Sequence, residues 1–189
     1  MKIKICGLSR QEDIAYVNES LPDYIGFVFA KSKRQVSLLQ AKALKAKLNR
    51  QIQAVGVFVD EDLTVVQKAV DEKIIDMVQL HGKETDDYIE KINAPVIKAI
   101  RVGDKISEQA DFLLFDSATA GSGQTFDWTR IPKTAKPFFI AGGIDIYNVE
   151  QVKLLHPFGI DISSGVETDG IKDKIKIKEM VRSVRNVKR

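Results

Sequence analysis

The sequence predicts an α/β protein, a single compact (β/α)8 TIM barrel spanning residues 1–189 as one domain. Three observations lead there. Eight short apolar, β-branched or aromatic runs recur along the chain, amphipathic helical patterns fill most of the intervals, and no linker or composition shift divides the chain. At 189 residues, 44% hydrophobic and 29% charged, the chain suits one globular domain with a substantial core.

The runs are Lys2–Cys6, Tyr24–Phe29, Gln53–Val59, Ile75–Leu80, Val96–Ile100, Phe112–Asp116, Phe138–Ala141 and Gly159–Ile162. Their starts are mostly about 20 to 29 residues apart, with one gap of about 16. Helical periodicity covers Ser9–Ser20, where Ser9 and Glu12 have a capping-box spacing, then Ser37–Leu48, Asp62–Val70, Glu84–Ile92, Ile146–Leu155 and Ile171–Val187. Strands alternating with helices call for a parallel sheet, and closing eight of them removes every exposed edge. An open doubly wound sheet is the alternative. The chain is short beside the roughly 250 residues usual for such barrels, so helices and loops must be minimal. Residues 101–111 are too few and too polar for a good helix, which predicts an irregular fifth crossover.

Composition narrows the partners. A net charge of +3 is too small to argue for nucleic acid, and the basic stretch after Ile171 reads as the solvated face of a last helix. No apolar run approaches the 18 residues of a membrane span, and no signal-peptide pattern precedes the first strand. One cysteine excludes a disulfide framework and a multi-cysteine zinc site, and the two histidines, His81 and His156, make no metal cluster. A cytoplasmic protein without metal is expected.

In a barrel the carboxyl ends of the strands converge on one mouth. Strand one brings Cys6 there, beside Lys4 on the same face; the thiol is either an inert buried residue or a base whose pKa the lysine lowers. The basic loop after strand two offers Arg34, whose planar fork suits a carboxylate. Gln79 and His81 share parity at the end of strand four. Asp116 closes the apolar run of strand six, where Phe112, Leu114 and Phe115 favour a protonated, proton-donating acid; a turn or cap role is the alternative. The following Gly121–Gln124 stretch is suited to folding over a ligand. Two glycine turns, Gly142-Gly143 after strand seven and Ser164-Gly165 after strand eight, lie where barrels usually cradle phosphate.

In their order along the chain these segments resemble the phosphoribosylanthranilate isomerase family of tryptophan biosynthesis. The resemblance is carried by Lys4-Ile-Cys-Gly7, Ser32-Lys-Arg34, Val36-Ser37, Val55-Gly-Val-Phe58, Val78-Gln-Leu-His-Gly82, Phe115-Asp116, Phe126-Asp-Trp128, Ala141-Gly-Gly143, Asp161 to Glu167 and Gly170 to Asp173. One departure is Ala120-Gly-Ser-Gly123, where the family usually reads Gly-Gly-Thr-Gly. The resemblance implies a cofactor-free Amadori rearrangement of a phosphorylated aminoaldose. It assigns Cys6 as general base and Asp116 as general acid. Gly142, Gly143, Ser164 and Gly165 would hold the phosphate, Arg34 would face the anthranilate carboxylate, and Gln79 and His81 would serve as hydrogen-bonding groups in the mouth. A small phosphorylated substrate, no nucleic acid, no membrane, and a monomer or homodimer follow.

Two other readings stand beside it. The sister aminoaldose isomerase of histidine biosynthesis uses an aspartate base and a second phosphate site, for which the acidic Val59–Leu63 stretch is poorly suited; a barrel that only binds phosphometabolites would not need both acid and base. One expectation needs no family. Lys4 and Asp161 lie on the first and last strands, which adjoin if the barrel closes, so a buried ion pair is predicted beneath Cys6, biasing the thiol.

Overall fold

The computed structural model describes residues 1–116 and 127–185. Eight parallel strands, β1 (Lys2–Cys6), β2 (Tyr24–Val28), β3 (Gln53–Phe58), β4 (Met77–Leu80), β5 (Val96–Ile100), β6 (Phe112–Phe115), β7 (Phe138–Ile140) and β8 (Gly159–Ile162), close into a barrel in sequence order. The seam is the β1–β8 pairing, with Lys4 opposite Asp161. Closure excludes the open doubly wound sheet.

Strands packed on both sides read as apolar runs. Ile3 and Ile5 turn outward into the layer between barrel and helices, while Tyr24, Val55, Met77, Ile97, Leu114 and Phe139 fill the interior. Tyr24 meets Phe139 edge-on at 5.8 Å, and Phe158 packs on Phe139 at 5.3 Å. This aromatic plug floors the barrel, so only its upper end is open to polar groups.

The helices are α1 (Gln11–Ser20), α2 (Leu38–Lys45), α3 (Leu63–Asp71), α4 (Asp86–Ile89), α5 (Val149–Lys153) and α6 (Lys174–Arg185). Ser37 and Asp62 cap α2 and α3 by accepting backbone N–H bonds from Gln40 and Thr64. At α1 the expected Ser9–Glu12 box is replaced: Arg10 is the N-cap, and Asp13 accepts the N–H groups of Ser9 and Arg10. α4 and α5 are shorter than their periodicity suggests because their first polar residues are spent elsewhere. Glu84 accepts from the N–H groups of Asp60 and Gly82, and Asn148 donates its side-chain amide to Gly143. Residues 101–111 form the irregular crossover expected.

The last predicted helix starts three residues late. Ile171 and Lys172 form a short strand, β10 (Ile171–Lys172), paired antiparallel with β9 (Glu167–Thr168) through an Asp169-Gly170 turn in which both residues have positive φ. Asp173 then caps α6, accepting from Ile175 and Lys176. The predicted end of α6 at Val187 and the Gly121–Gln124 stretch lie outside the described residues. No helix of the described residues is long and apolar enough to cross a membrane.

Candidate active site

Above the aromatic plug lies a cavity of about 310 Å³ at the carboxyl ends of the strands. Its lining brings together Cys6 from β1, Arg34, Gln79 and His81, Asp116, Gly142 and Gly143, and Ser164. Of the described residues singled out from sequence, Gly165 and the buried Lys4 do not line it. Gly165 instead packs against the neighbouring turn: a Cβ there would sit 1.9 Å from the carbonyl oxygen of Ile144. It lets the β8 turn close onto the β7 turn.

The predicted Lys4–Asp161 pair is present. Lys4 Nζ lies 2.7 Å from Asp161 Oδ2 and 2.8 Å from Gln79 Oε1, with Lys4 wholly buried. Burial alone would pull the lysine's pKa down, but Asp161 and Cys6 outweigh it and the net direction is up. Asp161 Oδ1 has no protein partner among the described residues, and Asp161 lines the cavity.

The thiol departs from expectation. Desolvation at the foot of the cavity pushes Cys6 up; Lys4 pulls it down, Asp161 pushes it up again, and Lys172 adds a smaller downward pull. The lysine acts as predicted in sign, yet burial outweighs it. The resting group is a thiol in need of help to ionise.

Arg34 has a partner within the chain. Its fork is engaged by Glu167, with Nε 2.7 Å from Oε1 and Nη2 2.8 Å from Oε2, so the bidentate carboxylate is internal. Glu167 also accepts from Lys172 Nζ at 2.6 Å, and Lys172 reaches Ser163 O at 2.9 Å. Ser163 Oγ donates to Cys6 O at 3.0 Å. A buried cluster thus ties the β2 loop, the β9–β10 hairpin and the end of β1 together. Sequence reasoning missed the roles of Glu167 and Lys172; the Asp169-Gly170 dipeptide between short extended segments was the available signal.

On the opposite wall, His81 Nε2 lies 3.2 Å from Asp116 Oδ2 and Gln79 Nε2 3.1 Å from His81 Nδ1. Lys98 and Glu84, paired at 2.7 Å, pin the Gly82 turn that follows His81. Gly142 and Gly143 hold φ of 87° and 61°, and among the described residues no protein acceptor takes their N–H groups. Paired turns with spare N–H groups are what an anion requires.

A family model described as N-(5'phosphoribosyl)anthranilate (PRA) isomerase matches residues 3–183. The chain belongs to the phosphoribosylanthranilate isomerase family. An N-(5'-phosphoribosyl)anthranilate isomerase of Endomicrobium trichonymphae is 46% identical over 198 residues, covering 98% of this chain and 99% of the relative. One from Streptococcus mutans is 45% identical over 190 residues, covering 97% and 98%. Among solved structures, the family member from Thermus thermophilus superimposes with a TM-score of 0.89 at 30% identity, covering 97% of this chain and 98% of that one. Another, solved with reduced 1-(o-carboxyphenylamino)-1-deoxyribulose 5-phosphate, superimposes with a TM-score of 0.81 at 30% identity, covering 99% and 100%. Family and fold agree over nearly the whole length.

Proposed function

We propose that this chain's rearrangement of N-(5'-phosphoribosyl)anthranilate runs between Cys6 and Asp116. The activity comes with the family: an isomerase of tryptophan biosynthesis turns this aminoaldose into the aminoketose 1-(2-carboxyphenylamino)-1-deoxyribulose 5-phosphate. Asp116 gives a proton to the furanose ring oxygen as its bond to C1 breaks and the C1–nitrogen bond becomes a Schiff base. Cys6, as thiolate, takes the proton from C2, leaving an enolamine. The C2 hydroxyl then loses its proton, C1 gains one, and the ketone is formed. Hydrogen lost at C2 is replaced at C1, so the route calls for no redox partner.

The single observation that carries this reading is the convergence of thiol and carboxyl on one cavity that also holds the spare N–H groups. Gly142, Gly143 and Ser164 would take the phosphate, with Gly165 allowing their turns to meet. Arg34, anchored through Nε and Nη2, would turn its remaining Nη1 group to the anthranilate carboxylate. Tethering both ends of the substrate sets C1 and C2 between acid and base, which supplies the orientation part of catalysis.

The chain would act as a monomer or a homodimer. A reducing, cytoplasmic compartment would keep the lone thiol free. The test is turnover of freshly prepared substrate, followed by loss of anthranilate-type fluorescence. Cys6→Ala and Asp116→Asn are each expected to lower kcat by about a hundredfold or more, the contribution usual for a positioned acid or base. Full activity in either variant would end the assignment. Offering the histidine-pathway aminoaldose to the same preparation separates the two isomerases.

A further inference from the structure

We propose that Gln79 is a positioning residue that fixes the tautomer of His81, so that this ring presents its Nε2–H to Asp116. Four side chains from β1, from β4 and the residue after it, and from the residue after β6 form one hydrogen-bonded chain across the barrel mouth: Lys4, Gln79, His81, Asp116. The successive contacts are 2.8 Å, 3.1 Å and 3.2 Å.

The direction of every bond follows from its first member. A lysine ammonium only donates, so Gln79 must turn its oxygen to Lys4 and its NH2 group to His81. Nδ1 must then accept, which leaves the ring hydrogen on Nε2, facing Asp116 Oδ2. A hydrogen on Nδ1 would set N–H against N–H. Gln79 cannot rotate to relieve such a clash, since it is 2% exposed and flipping its amide would put NH2 against NH3⁺. Lys4 is itself locked by Asp161 at the barrel seam.

The consequence for chemistry rests on the reading of Asp116 as the general acid. A donor at Oδ2 directs the carboxyl's own proton to Oδ1. It also stabilises the carboxylate left once that proton has passed to the ring oxygen. Lys4 is thus common to both halves of the site, acting on Cys6 directly and on Asp116 through Gln79 and His81.

The experiment begins with a tautomer measurement in the absence of substrate. The chain has two histidines, and His156, exposed with φ of 49°, tolerates asparagine. In 15N-labelled His156→Asn protein, two-bond proton–nitrogen correlations at alkaline pH should show the remaining ring protonated on Nε2. Gln79→Glu keeps the shape but accepts from both neighbours, so the hydrogen should move to Nδ1 or the ring should carry both. Gln79→Met removes both bonds. In both Gln79 variants kcat should fall about 10- to 100-fold with KM close to the parent value, a loss of the size seen when the outer hydrogen-bond partner of a metal-bound histidine is removed. An Nδ1–H ring in the parent, an unchanged ring pattern in Gln79→Glu, or parental kcat in both variants overturns the proposal. Should Asp116→Asn retain turnover while the ring results hold, the acid assignment fails and takes the catalytic consequence with it, leaving the tautomer assignment in place.

Discussion

Cys6 sits between opposing influences, of which burial is the largest. Desolvation raises its pKa, Lys4 lowers it, and Asp161, the lysine's partner, raises it again. Removing the lysine leaves two upward influences and the weaker pull of Lys172. Lys4→Met should therefore move the thiol's titration to higher pH, and the rising limb of kcat against pH should follow. With a single cysteine in the chain, the rate of alkylation by iodoacetamide against pH reads this one group. An unshifted alkylation profile would mean that Lys4 holds Asp161 and Gln79 in place without acting on the sulfur. The same variant also strands a buried carboxylate, which costs about 3–5 kcal/mol when one partner of a buried pair is lost. The titration separates the electrostatic role from that structural loss.

The phosphate end depends on two turns held in contact rather than on any one side chain. Gly165 is the point of contact, because a Cβ there meets the backbone of Ile144 at 1.9 and 2.9 Å and has no flexible atom to push aside. Gly165→Ala should separate the β7 and β8 turns. KM for the phosphorylated substrate should rise by about tenfold or more, as when roughly 1.4 kcal/mol or more of binding is lost, while kcat changes less. A KM equal to the parent's would show that the turns work independently. These turns, like the strands, were legible in the sequence because glycines at the ends of apolar runs have few other uses there. Cys6, Asp116, Gln79 and His81 were legible for a related reason: strand parity fixes which residues point into a closed barrel. Helix ends were less so. Glu84 and Asn148 look like helix residues by periodicity, yet their side chains bond across to Gly82 and Gly143, contacts that exist only once distant turns are brought together. Arg34 shows the same limit, since its bidentate partner Glu167 lies 133 positions away.

Stability of the barrel should respond to pH on two sides, for different reasons. Asp62, Asp86, Glu72 and Asp173 titrate below their ordinary values, chiefly through hydrogen bonds from Thr64, Ser107, Lys42 and Thr168. Glu167 does too, because Arg34 and Lys172 overcome the upward push of burial. Groups lowered in this way stabilise the fold above the ordinary carboxylate range near 4 and lose that contribution as pH falls through their lower folded values. Cys6 works in the opposite sense: its folded pKa is raised, so its contribution is complete below about 8.5 and declines above it, where the unfolded thiol ionises first. The other raised groups act later. Burial pushes the Tyr88 hydroxyl up to about 12, and Lys2 and Lys4 are raised by Asp23 and Asp161 from an ordinary value near 10.4. Among the raised groups the interval from about pH 8 to 9.5 isolates the thiol; Lys172, whose pKa burial lowers, acts in the opposite sense as pH rises and is common to the parent and Cys6→Ala. Calorimetry should find the unfolding midpoint level between about pH 5 and 8, lower below 4, and already declining by 9.5. Cys6→Ala should flatten the last of these slopes while leaving the acid side unchanged. An equal alkaline decline with and without the sulfur would place its origin outside the active-site mouth and show that the thiol ionises as readily folded as unfolded.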